Sequence, residues 1–300
     1  MKVRYKKTFL IYICALVIGV LSLFNSALNS APKTSAEMPF YNLKPQFLTV
    51  RAEFYTSYPS SSEERKSNII LATKSLNNTF VDVGAEFSFN YTVGPRTEKR
   101  GYKVSKIIFN GAFVDGVGGG VCQVSTTLYN AILLAGLKVT EYHPHSLPVG
   151  YVAPSFDAMV NSGSADLRFI NNTHNPIILK TFADENKVTI EVWGEPMQEK
   201  YLRQSQITEY IPAPVEEIVL DEKGEYPNLY EGERMTIQYS KKGYRSQATL
   251  VKVLNGKVID KSVIRKDKYN AVKGVVIEGK AQRPQINIDE QENLYFEPIN

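Results

Sequence analysis

An almost unbroken apolar run of 16 residues, FLIYICALVIGVLSLF (9–24), stands directly behind Lys2, Arg4, Lys6 and Lys7. It dictates where everything after it must fold. A basic end followed by such a run directs export with the N-terminus left inside. The run is slightly short of the roughly 20 residues that span a bilayer, and Ala27 and Leu28 can extend it. Residues 1–28 therefore read as a signal anchor or a removed signal peptide. The anchor is favoured because the small-residue cleavage site around Ser26–Ala31 is poorly formed. Of the two cysteines, Cys14 lies inside the run with no lipobox before it, which leaves Cys122 alone on the outer side. Exported proteins use cysteines mostly as disulfide pairs. A lone one is either a reactive thiol or a small packed hydrophobe.

Beyond the leader, 43% hydrophobic and 22% charged residues describe an ordinary globular chain, and 300 residues suggest about two domains. The net charge of +4 is mild, and four of the basic residues sit within the first seven positions. With no basic stripe, zinc-ligand spacing or phosphate loop, a nucleic-acid partner is excluded. Residues 29–61 show no sustained period and read as an extracytoplasmic linker. Ser61 and Glu64 have capping-box spacing, and Ile69, Ile70, Thr73 and Leu76 predict a helix over 62–77. Val81, Val83 and the Phe87/Phe89 alternation suggest strands. Val121, Val124, Leu128, Ala131, Ile132 and Ala135 mark one face of a helix closed by Gly136. Strands are expected at 166–170, 177–181 and 188–193, and Gly194–Pro196 ends this domain. Alternating Met235, Ile237 and Tyr239, then Val251 and Val253 before the hairpin turn Asn255–Gly256, make 208–279 a small all-β module. Residues 280–300 are a polar tail. The predicted architecture is an α+β domain over 62–196, then the all-β module, behind an N-terminal membrane anchor.

The segment Gly118–Gly119–Gly120–Val121–Cys122 suits nucleophilic chemistry. Glycines permit positive φ and close approach of a substrate to the backbone. A helix N-terminus favours a thiolate, and its free amides, that of Gly120 among them, can hold an oxyanion. The Gln123 side chain is a further candidate donor. A base must complete the pair, and only His143, His145 and His174 exist. The first two follow the cysteine helix closely, and Pro144 points their rings differently. Asp157 or Asp166 can orient the imidazole. Bland readings compete: a packed cysteine, a glycine turn, and a surface loop or half a metal site at His143–Pro144–His145. The conjunction in an exported chain favours catalysis, while His174, in NNTHNP, reads as structural.

FSFNYTVGPRTEKRGY (87–102), GGGVCQVSTTLYNAILLAGL (118–137), HPHSLPVGYV (143–152), FDAMV (156–160) and DLRFINNTHNPI (166–177) resemble the VanW-like domain. The module over 208–279 resembles the G-five domain. The chain departs from the first family before Asp157–Ala158, where many relatives carry Gly and this chain reads Pro154–Ser155–Phe156. The resemblance implies a wall-associated protein on a Gram-positive membrane, single-pass through residues 9–24, with peptidoglycan stem peptides as partners. It implies a cysteine-dependent L,D-transpeptidase with Cys122 as nucleophile, His145 as base, no metal and no cofactor. Asp157 would orient the base. His143 would face substrate or solvent, and Arg96 or Arg168 would hold a stem carboxylate. A cysteine carboxypeptidase or endopeptidase, or a non-catalytic wall binder, is the alternative. On this division of labour, 62–196 carries the chemistry and 208–279 the tether.

Overall fold

In a computed structural model the described residues are 48–109 and 111–284. The apolar run, Cys14, the linker up to residue 47 and the tail from 285 lie outside them. In chain order the elements are β1 (Thr49–Ser57), α1 (Glu63–Leu76), β2 (Thr79–Val81), β3 (Glu86–Ser88), α2 (Phe89–Val93), β4 (Val104–Phe109), β5 (Ala112–Val117), α3 (Val121–Leu134), β6 (Lys138–Glu141), β7 (Arg168–Ile170), β8 (Ile177–Ala183) and β9 (Lys187–Gly194). They continue with β10 (Lys200–Ile211), β11 (Glu217–Leu220), β12 (Arg234–Gln238), β13 (Gly243–Leu254), β14 (Lys257–Tyr269) and β15 (Val275–Glu278). The described chain is thus rich in β-structure, with few helices.

The core forms where β1, β9, β8 and β2 pair in that order as an antiparallel sheet. Ile177, Leu179, Val188, Ile190 and Val192 are buried on it, against Ile69, Ala72 and Leu76 of α1 and Val124, Leu128 and Ile132 of α3. Each such side chain contributes about 1.5–3 kcal/mol by leaving water. Every residue of α3 except Cys122 and Leu134 is buried. Its polar members are satisfied by the chain facing them: Ser125 Oγ donates to the Ala158 carbonyl (2.6 Å), Thr126 Oγ1 accepts the Ala158 amide (2.9 Å), and Asn130 Nδ2 donates to the Phe156 carbonyl (2.8 Å). The polar side of α3 therefore fixes the backbone on either side of Asp157.

Three sequence expectations shift. The linker is shorter than 29–61, because Thr49–Ser57 is an edge strand of the core sheet. Of its apolar residues only Ala52 and Phe54 pack on the core, too weak an apolar signal to read as a strand. The α1 cap is Ser62, whose Oγ accepts the Arg65 amide (3.3 Å), while Ser61 accepts from the Arg65 guanidinium (3.0 Å). Phe89 opens α2 instead of extending a strand, because Ser88 caps the amide of Tyr91.

After β9 the chain is all β. β10, β13 and β14 form one antiparallel sheet; β11, β15 and β12 form another, with β11 parallel to β15. The β13–β14 turn has positive φ at both Asn255 (51°) and Gly256 (77°), as a two-residue hairpin requires. β10 lies against the first region: the Arg203 guanidinium sits over the rings of Phe54 (4.2 Å) and Phe156 (4.9 Å) and bonds Asn130 Oδ1. Most of β14 is exposed, but its C-terminal end, with Arg265 and Tyr269, is buried against residues 142–157.

Candidate active site

The turn before α3 is built by glycine. Gly118 (φ 86°) and Gly120 (φ 108°) occupy left-handed backbone, and a Cβ on Gly120 would lie 2.9 Å from Ile69 Cγ1 on α1. Buried Asn68 clamps this turn, donating to the Gly119 and Lys103 carbonyls (3.0 and 2.9 Å) and accepting the Lys103 amide (2.7 Å). Cys122 is thereby held in the first turn of α3, partly exposed and unpaired. In its thiol form Sγ donates to the Val160 carbonyl at 3.3 Å.

His145 and Asp157 complete the arrangement. The ring Nδ1 of His145 is 2.7 Å from Asp157 Oδ2, and the same oxygen accepts the His145 amide at 2.6 Å. With Nδ1 turned to the carboxylate, Nε2 is the ring nitrogen left for another partner, and Cys122 and His145 are close enough for each to favour the charged form of the other. Burial alone would raise the thiol, but the bond to His145 and its charge, with Arg96 beyond, bring Cys122 below its ordinary value. Burial lowers His145, yet the bonds to Asp157 and Cys122 outweigh it and take the imidazole up to about 9. Burial raises Asp157, and the contacts to His145, Arg265 and Tyr269 reverse this, holding the carboxyl below its usual range. All three directions favour the charged forms: thiolate at Cys122, imidazolium at His145 and carboxylate at Asp157.

Other candidates fall elsewhere. The Gln123 side-chain amide is engaged with β1 and α1: Nε2 donates to Thr56 Oγ1 (3.0 Å) and the Ser57 carbonyl (3.1 Å), and Oε1 accepts from Arg65 (2.9 Å). The amides of Val121 and Gln123 bond the Gly118 and Gly120 carbonyls, so two first-turn donors are already engaged. Gly120 caps the helix and lines the cleft. His143 lies outside the cleft lining, with Nε2 2.9 Å from Glu141 Oε1. Asp166 caps α2, accepting from Ser88 Oγ and the Asn90 amide, and does not reach a histidine. Arg168 is tied to Glu86, Glu141 and Asp166, whereas Arg96 faces the cleft. His174 is exposed beside Glu195.

The cleft around Cys122 encloses about 1180 Å³. Arg65, Arg96, Lys106, Lys241 and Lys268 line it, and among the described residues no Asp or Glu does, so it suits an anionic ligand. The β4–β5 hairpin supplies an apolar wall through Ile107, Phe109 and Phe113. Among the described residues, no group of His, Cys, Asp and Glu is arranged to hold a metal ion.

Sequence reasoning missed Arg265 and Tyr269. Tyr269 OH donates to Asp157 Oδ1 (2.5 Å) and accepts the Ser155 amide (2.9 Å). Arg265 donates from Nη1 to the Asp157 carbonyl (2.6 Å) and reaches Oδ1 from Nη2 (3.4 Å). Lys268 beside them lines the cleft, and the Asn270 amide bonds the Ser146 carbonyl at 2.8 Å. The expected separation of a chemical domain from a tether thus meets a shared buried cluster.

The family described as VanW like protein matches residues 64–193. This segment is similar to that family. It contains Cys122, His145 and Asp157, and stops short of Arg265 and Tyr269. The chain is 36% identical over 176 residues to the uncharacterized protein YoaR of Bacillus subtilis, covering 59% of this chain and 57% of that protein. It is 27% identical over 138 residues to the vancomycin B-type resistance protein VanW of Enterococcus faecalis, covering 44% of this chain and 50% of that one. The chain therefore spans little more than half the length of these relatives. A solved G5 domain of an IgA1 protease aligns over 29% of this chain and 96% of its own, at 17% identity and a TM-score of 0.18. No helix among the described residues is long and apolar enough to cross a membrane.

Proposed function

We propose that this protein is a cysteine acyltransferase of the bacterial wall, an L,D-transpeptidase that cross-links peptidoglycan stem peptides. The observation that carries the reading is Cys122 in a basic cleft beside His145, whose ring is hydrogen-bonded to Asp157. The Cys122 thiolate attacks the carbonyl of an L,D peptide bond in a donor stem. His145 Nε2 gives its proton to the departing amine of the terminal D-residue, leaving a thioester on Sγ. An amine of a neighbouring stem then attacks the thioester, His145 takes its proton, and the thiolate leaves. Asp157 keeps the imidazole turned throughout. Arg96, whose Nη2 is 2.5 Å from Asn90 Oδ1, stands in the cleft to receive a stem carboxylate. In this reading residues 1–28 anchor the chain, placing the VanW-like region in the wall space, and the following β module, G-five-like, holds the wall.

Incubating the protein with a tetrapeptide stem, with and without an amine acceptor, tests this by intact-mass analysis. The expected result is an acyl adduct on Cys122 and a cross-linked dimer when acceptor is present. Shortened stem without dimer would make the protein a carboxypeptidase. Wild-type protein that never acylates would overturn the catalytic reading and leave a wall binder.

A further inference from the structure

The β module following the VanW-like region meets it where Asp157 is held. Ser155, two residues before Asp157, is fully buried with φ of +62°, a left-handed conformation unfavourable for any side chain but glycine. Its amide is accepted by Tyr269 OH and its Oγ is 2.7 Å from Ser246 Oγ on β13. Phe156 and Ala158, the residues flanking Asp157, are fixed from the other side by Asn130, Ser125 and Thr126 of α3. Asp157 Oδ2 is occupied by His145. The remaining oxygen, Oδ1, and the main-chain carbonyl take their donors from β14, 108 and 112 residues away in sequence. Arg265 is itself aimed by Asp267 (2.7 Å) and by stacking over Tyr142 (4.6 Å).

We propose that Tyr269 and Arg265 of β14 are positioning residues for the Cys122 reaction, completing the triad from outside the VanW-like region by holding Asp157 ionised and aimed at His145. The inference rests on the reading of Cys122 and His145 as the reacting pair. Each support has a distinct part. Tyr269 fixes both the strained turn and the carboxylate oxygen. Arg265 supplies the buried positive charge that an ionised aspartate needs when water is absent. Facing the cluster from the cleft are Cys122, His145, Arg96 and Tyr151; from β13 and β14 come Tyr244, Arg265, Asp267 and Tyr269. Tyr129 and Tyr142 lie over the guanidinium. Loss of either support lets Asp157 rotate or protonate, weakens the imidazolium, and returns the thiol toward its ordinary range.

The test uses the full chain with Tyr269→Phe, which keeps the ring packed on Tyr244 (4.9 Å), and Arg265→Lys beside Arg265→Gln. The rate of Cys122 alkylation by iodoacetamide is followed against pH, with circular dichroism on every variant. Tyr269→Phe and Arg265→Gln should move the acid limb of the profile to higher pH, with Arg265→Lys nearer wild type. Stem acylation at neutral pH should fall about tenfold to a hundredfold in kcat with KM little changed, the worth of one charge-assisted hydrogen bond. A folded Tyr269→Phe protein with an unmoved limb and unchanged rate overturns the proposal, whether or not Arg265→Gln folds. Alkylation needs no stem, so a shifted limb in a protein that acylates no stem would sustain the positioning role and reject the proposed reaction.

Discussion

Two clusters of the same chemical make-up lie on either side of Pro144. The outer one runs from His143 through Glu141 to Arg168 and on to Asp166 and Glu86, with contacts of 2.9 to 3.3 Å. The inner one runs from His145 through Asp157 to Arg265 and Asp267, with contacts of 2.6 to 3.4 Å. Distances do not separate them. Burial does: His143 and Glu141 are about one-third exposed, while His145 and Asp157 keep 5% and 1%. Water screens the first cluster except at Asp166, so its exposed pairs contribute little. In the second each charge depends on its neighbour, which is why His145 rises and Asp157 falls from their ordinary values. A histidine, a carboxylate and an arginine become a device only when solvent is removed from around them.

The comparison breaks first on the two histidines. His145→Ala should lower acylation by about 10²–10⁴-fold, as loss of a general base does. It should also move the alkylation limb to higher pH, because the burial that raises the thiol is then no longer opposed by His145. His143→Ala should leave both nearly unchanged. Single-turnover acylation with circular dichroism reads the difference, and a larger loss at His143 would reverse the assignment. Next comes stability. Arg265→Met strands Asp157 and Asp267 in the interior and should cost about 3–5 kcal/mol in urea unfolding. A cost below about 1 kcal/mol would show that water already reaches the inner cluster.

The pH dependence sharpens the same contrast. His145 has a folded value of about 9, above its unfolded value near about 6.5, so its contribution is fully present below the latter. It is lost as pH rises through about 9. Asp157 is depressed, so its contribution is present above about 3.9 and lost as pH falls through its folded value. Cys122, lowered in the folded protein, contributes with the opposite sign over the same window, so the test uses Cys122→Ser: its unfolding free energy should decline as pH rises above about 6.5, and adding His145→Ala should flatten that decline. An unchanged slope in the variant would mean that another group titrates there.

What was legible in the sequence follows the range of the interactions. The glycine turn, Cys122 and the helix behind it are local, and three glycines before an amphipathic run state them openly. Asp157 was one of two candidates to orient the imidazole, with Asp166, and the fold places it against His145. Arg265 and Tyr269 were not, since KVIDKSVIRKDKY reads as a solvated strand face and most of it is one. Nothing within β14 marks the two positions that the fold turns inward. The Gln123 amide is engaged with β1 for a reason of phase: one residue on from Cys122 is about 100° around the helix, which aims it at that strand. The same β1 went unread because an edge strand with few inward apolar residues carries little period.

The smallest effect belongs to the outer cluster. Arg168 touches three carboxylates, and a count of contacts would make it a larger support than Arg265, which bonds two. Its side chain is 42% exposed, however. Exposed pairs are worth about 0–1 kcal/mol, and salt shortens their reach to about 8 Å at physiological strength. Arg168→Met should therefore cost less than about 1 kcal/mol, or about 2 °C in Tm for a region of this size. That cost should shrink further in 0.5 M salt, roughly the regime where exposed charges are screened. Cys122 alkylation and stem acylation should stay at wild-type rates, because no contact of Arg168 leads to Asp157. A loss above about 2 kcal/mol that persists in salt would place the outer cluster in the same class as the inner one, and burial would then no longer be what distinguishes His143 from His145.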